Sequence, residues 1–220
     1  MGNRAAMPDT YLILPTPRNH PDECALDEYF LLREMHHRMA NTLTLLTAQL
    51  WDEFGSSKMP EICSSMARLE GRIAAFGDLH RLLAVGASNR PVAVRDYIEE
   101  LCRSLSRAVL SPLGVRCEVS AGDGILPSAT CERLGLIIAE LVTNAAKHAF
   151  AERDGARVRV EITAEAGQWL CTVSDNGSGM QVPIARSGTS ILDDIVYMIG
   201  GMLVMRSGPN GTSVSVTFAG

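Results

Sequence analysis

The chain has 220 residues, of which 46% are hydrophobic, and a formal charge of −5. That length suits one large domain or two small ones with a real core, and the composition excludes wholesale disorder. A mildly acidic chain offers no electrostatic footprint for nucleic acid, and no apolar run reaches the ~18 residues that would predict membrane insertion.

Pro8 and Asp9 interrupt the N-terminus before a signal peptide can form. Residues 1–24 carry Pro8, Pro15, Pro17 and Pro21 with little periodicity and read as a flexible arm. Asp27 can cap the helix that follows. From Glu28 to Phe54, Leu31, Met35, Met39, Leu43, Leu46 and Leu50 recur at spacings of three and four, the pattern of an amphipathic helix. Gly55, Ser56 and Ser57 break it. Pro60 opens a second helix, with Ile62, Met66, Leu69, Ile73, Phe76, Leu79 and Leu83 on one stripe. Residues 25–86 therefore predict an antiparallel helical hairpin. Two helices cannot enclose a core, and a homodimeric four-helix bundle is the simplest remedy.

Residues 86–91 read as a linker, and a second domain is expected over 91–220. Asp96 to Leu110 reads as a helix. Val115, Cys117 and Val119 alternate as a strand. Ala129 to Phe150 reads as a helix. Val158 to Ile162 and Trp169 to Val173 read as strands, Ile191 to Ile199 as a helix, and Leu203 to Met205 and Val214 to Phe218 as strands. Helices with a mixed or antiparallel sheet make a two-layer α/β sandwich, so the whole chain is α+β. Cys24, Cys63, Cys102, Cys117, Cys131 and Cys171 form no Cys-x-x-Cys pair and no zinc spacing. They read as reduced, small apolar residues of a cytoplasmic protein.

The run Glu34-Met35-His36-His37-Arg38-Met39-Ala40-Asn41 carries the first candidate chemistry. The apolar stripe centres near Met35 and Met39, and at about 100° per residue His37 points roughly 160–200° away from it. His36 sits nearer the stripe's edge. A phosphoacceptor must be reachable, so His37 is preferred over His36. Asn41 shares its face one turn on, Arg38 can balance phosphate charge, and Glu34 is a candidate partner or base for the ring. Taken alone, two adjacent histidines on a helix are ordinary surface residues.

A second group lies on the helix after residue 129. Glu140, Asn144 and His148 stand at i, i+4 and i+8, with Lys147 alongside. An acid and an amide there can hold Mg²⁺ by oxygen, and Lys147 and His148 can meet phosphate oxygens. The bland alternative is a buried helix with a polar outer face. The strand from Trp169 then runs into Asp175-Asn176-Gly177-Ser178-Gly179. That places a carboxylate at the sheet edge, beside glycines that let the backbone approach a flat ligand. Asp175 can accept a hydrogen bond from adenine's exocyclic amine. An isolated Asp-Asn-Gly also reads as a turn.

Three of these segments together resemble a known family. Glu140-Leu-Val-Thr-Asn144-Ala-Ala-Lys147-His148 resembles the N box of histidine kinases, and Asp175-Asn-Gly177-Ser-Gly179 their first glycine box. Glu34-Met-His-His37-Arg38-Met-Ala-Asn41 resembles the phosphoacceptor box of the HWE and HisKA_2 subfamilies. They occur in the family's order, and the resemblance covers about residues 28–218. It implies a dimerisation and histidine-phosphotransfer hairpin followed by a Bergerat (GHKL) ATP-binding domain. It implies His37 as the phosphorylated residue, Asn144 as the Mg²⁺ ligand, Asp175 as the adenine contact and Thr212 near the base. ATP and Mg²⁺ are the expected cofactors.

The pattern departs from the family at the lid. Only Arg186-Ser187-Gly188-Thr189-Ser190 stands where a second glycine-rich box is expected, with Gly188 as its retained glycine. About 25 residues precede the hairpin, too few for a sensor domain, so input is expected from a separate partner protein, from the dimer, or not at all. The leading expectation is an ATP-dependent histidine kinase that passes phosphate to an aspartate of a response-regulator receiver domain. A histidine phosphotransferase relaying phosphate between receivers is the alternative, and a non-catalytic sequestering module of the anti-sigma type is a third.

Overall fold

The computed structural model describes residues 10–13, 34–36, 38–46, 48–49, 59–84, 90–150, 155–179 and 191–220. Four residues of the expected N-terminal arm form a strand, β1 (Thr10–Ile13). The described residues from 34 to 49 are helical and are called α1. Then come α2 (Pro60–Leu82), β2 (Pro91–Ala93), α3 (Val94–Leu105), β3 (Arg116–Ala121), β4 (Ile125–Pro127) and α4 (Ser128–His148). The chain ends with β5 (Arg157–Glu165), β6 (Gln168–Asp175), α5 (Ile191–Met198), β7 (Met202–Gly208) and β8 (Gly211–Ala219).

α2 begins as its sequence dictates, with Pro60 in the first turn, where a missing N–H costs nothing, and Glu61 favourably placed at the positive end of the helix dipole. Its last turns, through Ala75, Leu79, Leu83 and Ala84, are buried. The Tyr97 hydroxyl of α3 donates to the Leu82 carbonyl at 3.1 Å and ties the end of α2 to α3. α3 is shorter than the periodicity predicts. It passes into a π turn at Ser106–Leu110 and a 3₁₀ turn at Ser111–Leu113, closed by Gly114.

The main sheet has the order β1-β7-β8-β6-β5-β3. Only β3–β5 is parallel; the other neighbours are antiparallel. The period of two sorts its residues cleanly. Val158, Val160 and Ile162 of β5, Trp169, Cys171 and Val173 of β6, and Val214, Val216 and Phe218 of β8 are all buried. Register sets them in rows: Val160 opposite Val173, Val173 opposite Val214, Val214 opposite Met205. Ile98, Leu101 and Leu105 of α3, Leu134, Ile137, Ile138 and Leu141 of α4, and Leu192, Ile195 and Val196 of α5 complete one core with these strands. Each fully buried aliphatic side chain contributes about 1.5–3 kcal/mol. The architecture is the α+β arrangement expected, a helical N-terminal region followed by a sheet covered by helices.

Two features differ from expectation. β1 pairs antiparallel with β7, Thr10 opposite Arg206 and Ile13 opposite Leu203, so a flexible reading of the arm does not hold at these four residues. Tyr11, Leu12 and Ile13 are strand-prone residue types, and the outer edge of β7 offers them unpaired backbone groups. β2 and β4 form a separate two-stranded ribbon, with Val92 opposite Leu126, at the place read as a linker and a loop. Among the described cysteines all are free thiols. Burial pushes the Cys131 thiol up to about 11 and that of Cys171 up to about 12, so both act as packing residues.

Candidate functional site

Strand parity assembles the first half of the site. β6 buries its odd-numbered residues, so Asp175 at its end has inward parity. β8 buries even-numbered residues and β7 odd-numbered ones, which gives Thr212 and Ser207 the same parity. These three residues, with Gly211, line a cavity of about 380 Å³ at one end of the sheet. Asp175 Oδ1 accepts the N–H of Gly177 at 2.8 Å and that of Thr212 at 3.3 Å. The hydroxyls of Ser207 and Thr212 lie 3.0 Å apart. Oδ2 of Asp175 has no hydrogen bond among the described residues. Burial raises the Asp175 carboxyl above the ordinary carboxylate range, and the two N–H donors pull it part of the way back.

Glycine permits this packing at two points. A Cβ on Gly177 would collide with the carbonyl and side chain of Ala149. One on Gly211, at φ +126°, would collide with the carbonyl of Asp175. Gly179 lies in the same loop, against the Gly208 carbonyl. Asn176 fastens the loop to the start of β5. Its Oδ1 accepts the Arg157 N–H at 2.8 Å, and its Nδ2 donates to the Gly155 carbonyl at 3.0 Å. The Ser178 N–H donates to the Ala149 carbonyl at 3.1 Å, which brings the C-terminal end of α4 to the same loop.

On α4, Asn144 Nδ2 donates to Glu140 Oε1 at 3.0 Å. Asn144 Oδ1 then faces away from that bond, and with the Glu140 carboxylate it supplies hard oxygen ligands of the type Mg²⁺ takes. Among the described residues no three His, Cys, Asp or Glu side chains cluster as a metal cage. One acid and one amide on a helix face could add oxygen ligands to a cation held mainly by phosphate and water. Lys147 and His148 are exposed on the last turn of α4.

The phosphoacceptor candidate His37 and the lid glycine Gly188 lie outside the described residues. Glu34 and Arg38 form an exposed i,i+4 ion pair at 2.8 Å, which occupies one carboxylate oxygen of the proposed ring partner. Asn41 is exposed on α1. His36 is half-buried, and its Nδ1 lies 2.6 Å from Nδ1 of His80 on α2. Both imidazoles line a larger cavity, about 740 Å³, among α2, α4 and α5, with Arg72, Phe76, Glu140 and Leu192 also in its wall. Asp175 and the close approach at Gly211 belong to the smaller cavity. Sequence reasoning passed over His80 and Ser207. The parity of β7 would have found Ser207. His80 carries no motif, and only its place beside the buried Leu79 hints at an inward ring.

Residues 34–109 match the HisKA_2 family, described as histidine kinase. Residues 130–219 match HATPase_c, the histidine kinase-, DNA gyrase B- and HSP90-like ATPase family. Blue-light-activated histidine kinase 2 of Erythrobacter litoralis is 25% identical over 195 residues, covering 84% of this chain and 56% of its own length. Sensor histidine kinase PdtaS of Mycolicibacterium smegmatis is 24% identical over 198 residues, covering 86% of this chain and 39% of its own. The chain thus spans about half the length of the curated relatives it matches. In fold it is similar to the histidine kinase domain of an Erythrobacter litoralis blue-light activated kinase, with a TM-score of 0.56, 22% identity, and coverage of 80% of this chain and 95% of that one. It is also similar to a bacterial phosphotransferase, with a TM-score of 0.60, 11% identity, and coverage of 93% and 100%.

Proposed function

This chain belongs to the histidine kinase family, a HisKA_2 segment running into a HATPase_c domain, and we propose that it phosphorylates its own His37 from Mg-ATP and passes the phosphoryl group to an aspartate of a response-regulator receiver domain. The observation that carries this reading is the joint presence of two devices a bare relay does not need. One is Asp175, whose Oδ1 is held by two backbone N–H groups while Oδ2 stays available to an adenine amine. The other is the Glu140–Asn144 oxygen pair on α4. Lys147 and His148 would meet the phosphates, Gly177, Gly179 and Gly188 would let backbone close on the nucleotide, and Thr212 would back the base. Mg²⁺, when bound, supplies charge neutralisation on the phosphates.

At His37 a neutral ring nitrogen attacks the γ-phosphorus, the bond to the β–γ bridging oxygen breaks, and ADP leaves. Arg38 would balance the phosphate charge, Asn41 would position a water or an attacking carboxylate beside phosphohistidine, and Glu34 would serve as partner or base for the ring. Met35, Met39, Leu45, Leu46 and Leu69 are exposed on the hairpin. That much apolar surface fits burial in a homodimeric bundle. No described helix is long and apolar enough to cross a membrane. We read the chain as a cytoplasmic protein whose signal arrives from a sensor segment or partner.

A second reading, a phosphotransferase relaying phosphate between receivers, is favoured by the likeness of fold to a bacterial phosphotransferase along that protein's full length. Incubation with γ-labelled ATP and Mg²⁺ separates the two. Label that appears on wild type and is absent from His37→Ala and Asn144→Ala supports the kinase. Label acquired only from a phosphorylated receiver overturns it in favour of the relay.

A further inference from the structure

The contact between His36 and His80 plays no part in the function proposed above. We propose that His80 is a positioning residue for phosphoryl transfer, holding α1 through His36 so that the adjoining His37 faces its phosphoryl donor. This rests on the reading of His37 as phosphoacceptor. The two Nδ1 atoms lie 2.6 Å apart, with ring centroids separated by 4.9 Å and planes inclined at 39°. A hydrogen bond between two Nδ1 atoms needs one as N–H donor and the other as bare acceptor. The pair sits in a wall lined by Phe76, Leu79, Leu192 and Ile195. Such a low-dielectric setting strengthens a made hydrogen bond and penalises an unmade one.

The importance of this one contact follows from how thinly α1 is anchored. Among its described residues Ala40 alone is buried. Within one chain the described residues of α1 bury little, since Met35, Met39, Leu45 and Leu46 are the surface assigned above to the dimer, and each residue of slippage turns a side chain by about 100°. His36 immediately precedes His37 in sequence, and by helix periodicity a contact that fixes the turn of α1 at residue 36 would also set the direction of the proposed phosphoacceptor. The far partner, His80, is itself buried near the end of α2, where Leu79 and Leu83 join the core. α2 therefore transmits the position of the sheet domain to α1.

The contact also has a protonation requirement. Arg72 of α2 and Glu140 of α4 line the same cavity, the one disfavouring and the other favouring positive charge on the rings. Asp78 on α2, two residues before His80, is engaged by Arg81 and by Arg107 of the π turn. Burial lowers the His80 pKa, so the ring is neutral near pH 7. The folded chain refuses there a proton that the unfolded chain accepts near about pH 6.5. The stabilisation is whole above that value and is lost as pH falls from it through the lowered folded value. With both rings protonated, N–H faces N–H and the contact opens.

The test uses the full chain with His80→Asn, His80→Gln and His80→Leu. An Asn amide reaches the position of Nδ1, a Gln amide that of Nε2, and Leu fills the space with neither. Initial rates of labelling by γ-labelled Mg-ATP are read from about pH 5.5 to 8.5, alongside KM for ATP and the melting temperature. At pH 8, Asn is expected to stay within about threefold of wild type, while Gln and Leu fall by about tenfold or more with KM unchanged. The Asn variant should also show a smaller drop below about pH 6.5 than wild type, the remainder being protonation of His37 itself. Equal rates in Asn, Gln and Leu variants of similar melting temperature overturn the proposal, as does a Leu variant as fast as wild type. If wild type takes no label from ATP, the kinase reading has failed. Uptake from a phosphorylated receiver then reads the same order of variants, and equal uptake overturns the positioning role by itself.

Discussion

Asp175→Asn replaces one oxygen of the proposed nucleotide site by NH₂ and separates its function from its stability. Asn retains an oxygen able to accept from the N–H groups of Gly177 and Thr212, now 2.8 and 3.3 Å from Oδ1. Where Oδ2 stands, the variant presents an NH₂ group, so an acceptor for the adenine amine becomes a donor facing a donor. A hydrogen bond to a charged group contributes about 1.5–3 kcal/mol net, which predicts ATP binding weakened roughly 10- to 150-fold. Stability should move the other way. Burial holds the Asp175 carboxyl above its unfolded value, so the folded state prefers the protonated form and pays for ionisation at neutral pH. That cost is absent below the unfolded pKa of about 3.9 and complete above the raised folded value. The variant should melt at or above the wild-type temperature at pH 7, with the gap closing as pH falls toward 4. Calorimetric titration with Mg-ATP and thermal melts at several pH values measure both. ATP binding within about threefold of wild type would refute the base contact. A lower melting temperature at pH 7 would show that the carboxylate serves the fold instead.

Three further predictions follow from packing. Gly211→Ala places a methyl group against the Asp175 carbonyl at φ +126° and should cost about 1–3 kcal/mol, seen as a lower melting temperature together with lost nucleotide binding; an unchanged melt refutes it. Tyr97→Phe removes the 3.1 Å bond to the Leu82 carbonyl and should cost about 0.5–1.5 kcal/mol in denaturant unfolding, with faster proteolysis at the end of α2; identical curves refute it. Removal of residues 1–13 uncovers the β7 edge, so alternate amides within 203–206 should exchange hydrogen faster while β5 and β6 stay protected. Unchanged exchange in β7 would mean that β1 contributes nothing to the sheet.

Part of the geometry around the candidate residues was readable because its signals are local. Asn144 lies one turn from Glu140, and their hydrogen bond follows from helix periodicity. Gly177 is two residues from Asp175, and the turn that joins them is written in those five residues. Glu34 illustrates the limit. Its spacing to Arg38 is as local as its spacing to His37, and the guanidinium, a charged donor one turn away, takes the carboxylate. His80 lies 44 residues from His36, and no local pattern announces that contact.

By itself the sequence determined the elements and their inward faces, because periods of 3.6 and 2 are properties of short segments. α4, β5, β6 and β8 and the inward parity of Asp175 all follow from it. Tertiary structure decided which elements meet. β1 crosses nearly the whole chain to pair with β7, β3 lies parallel to β5, and β2 finds β4. Short strands carry too few side chains to specify a partner, and the choice falls to whichever edge is left open by the rest of the fold. The same holds for the Thr212 N–H on Asp175 and for the imidazole of His80 against that of His36. Both bonds exist because packing elsewhere brought distant backbone and side chains within reach.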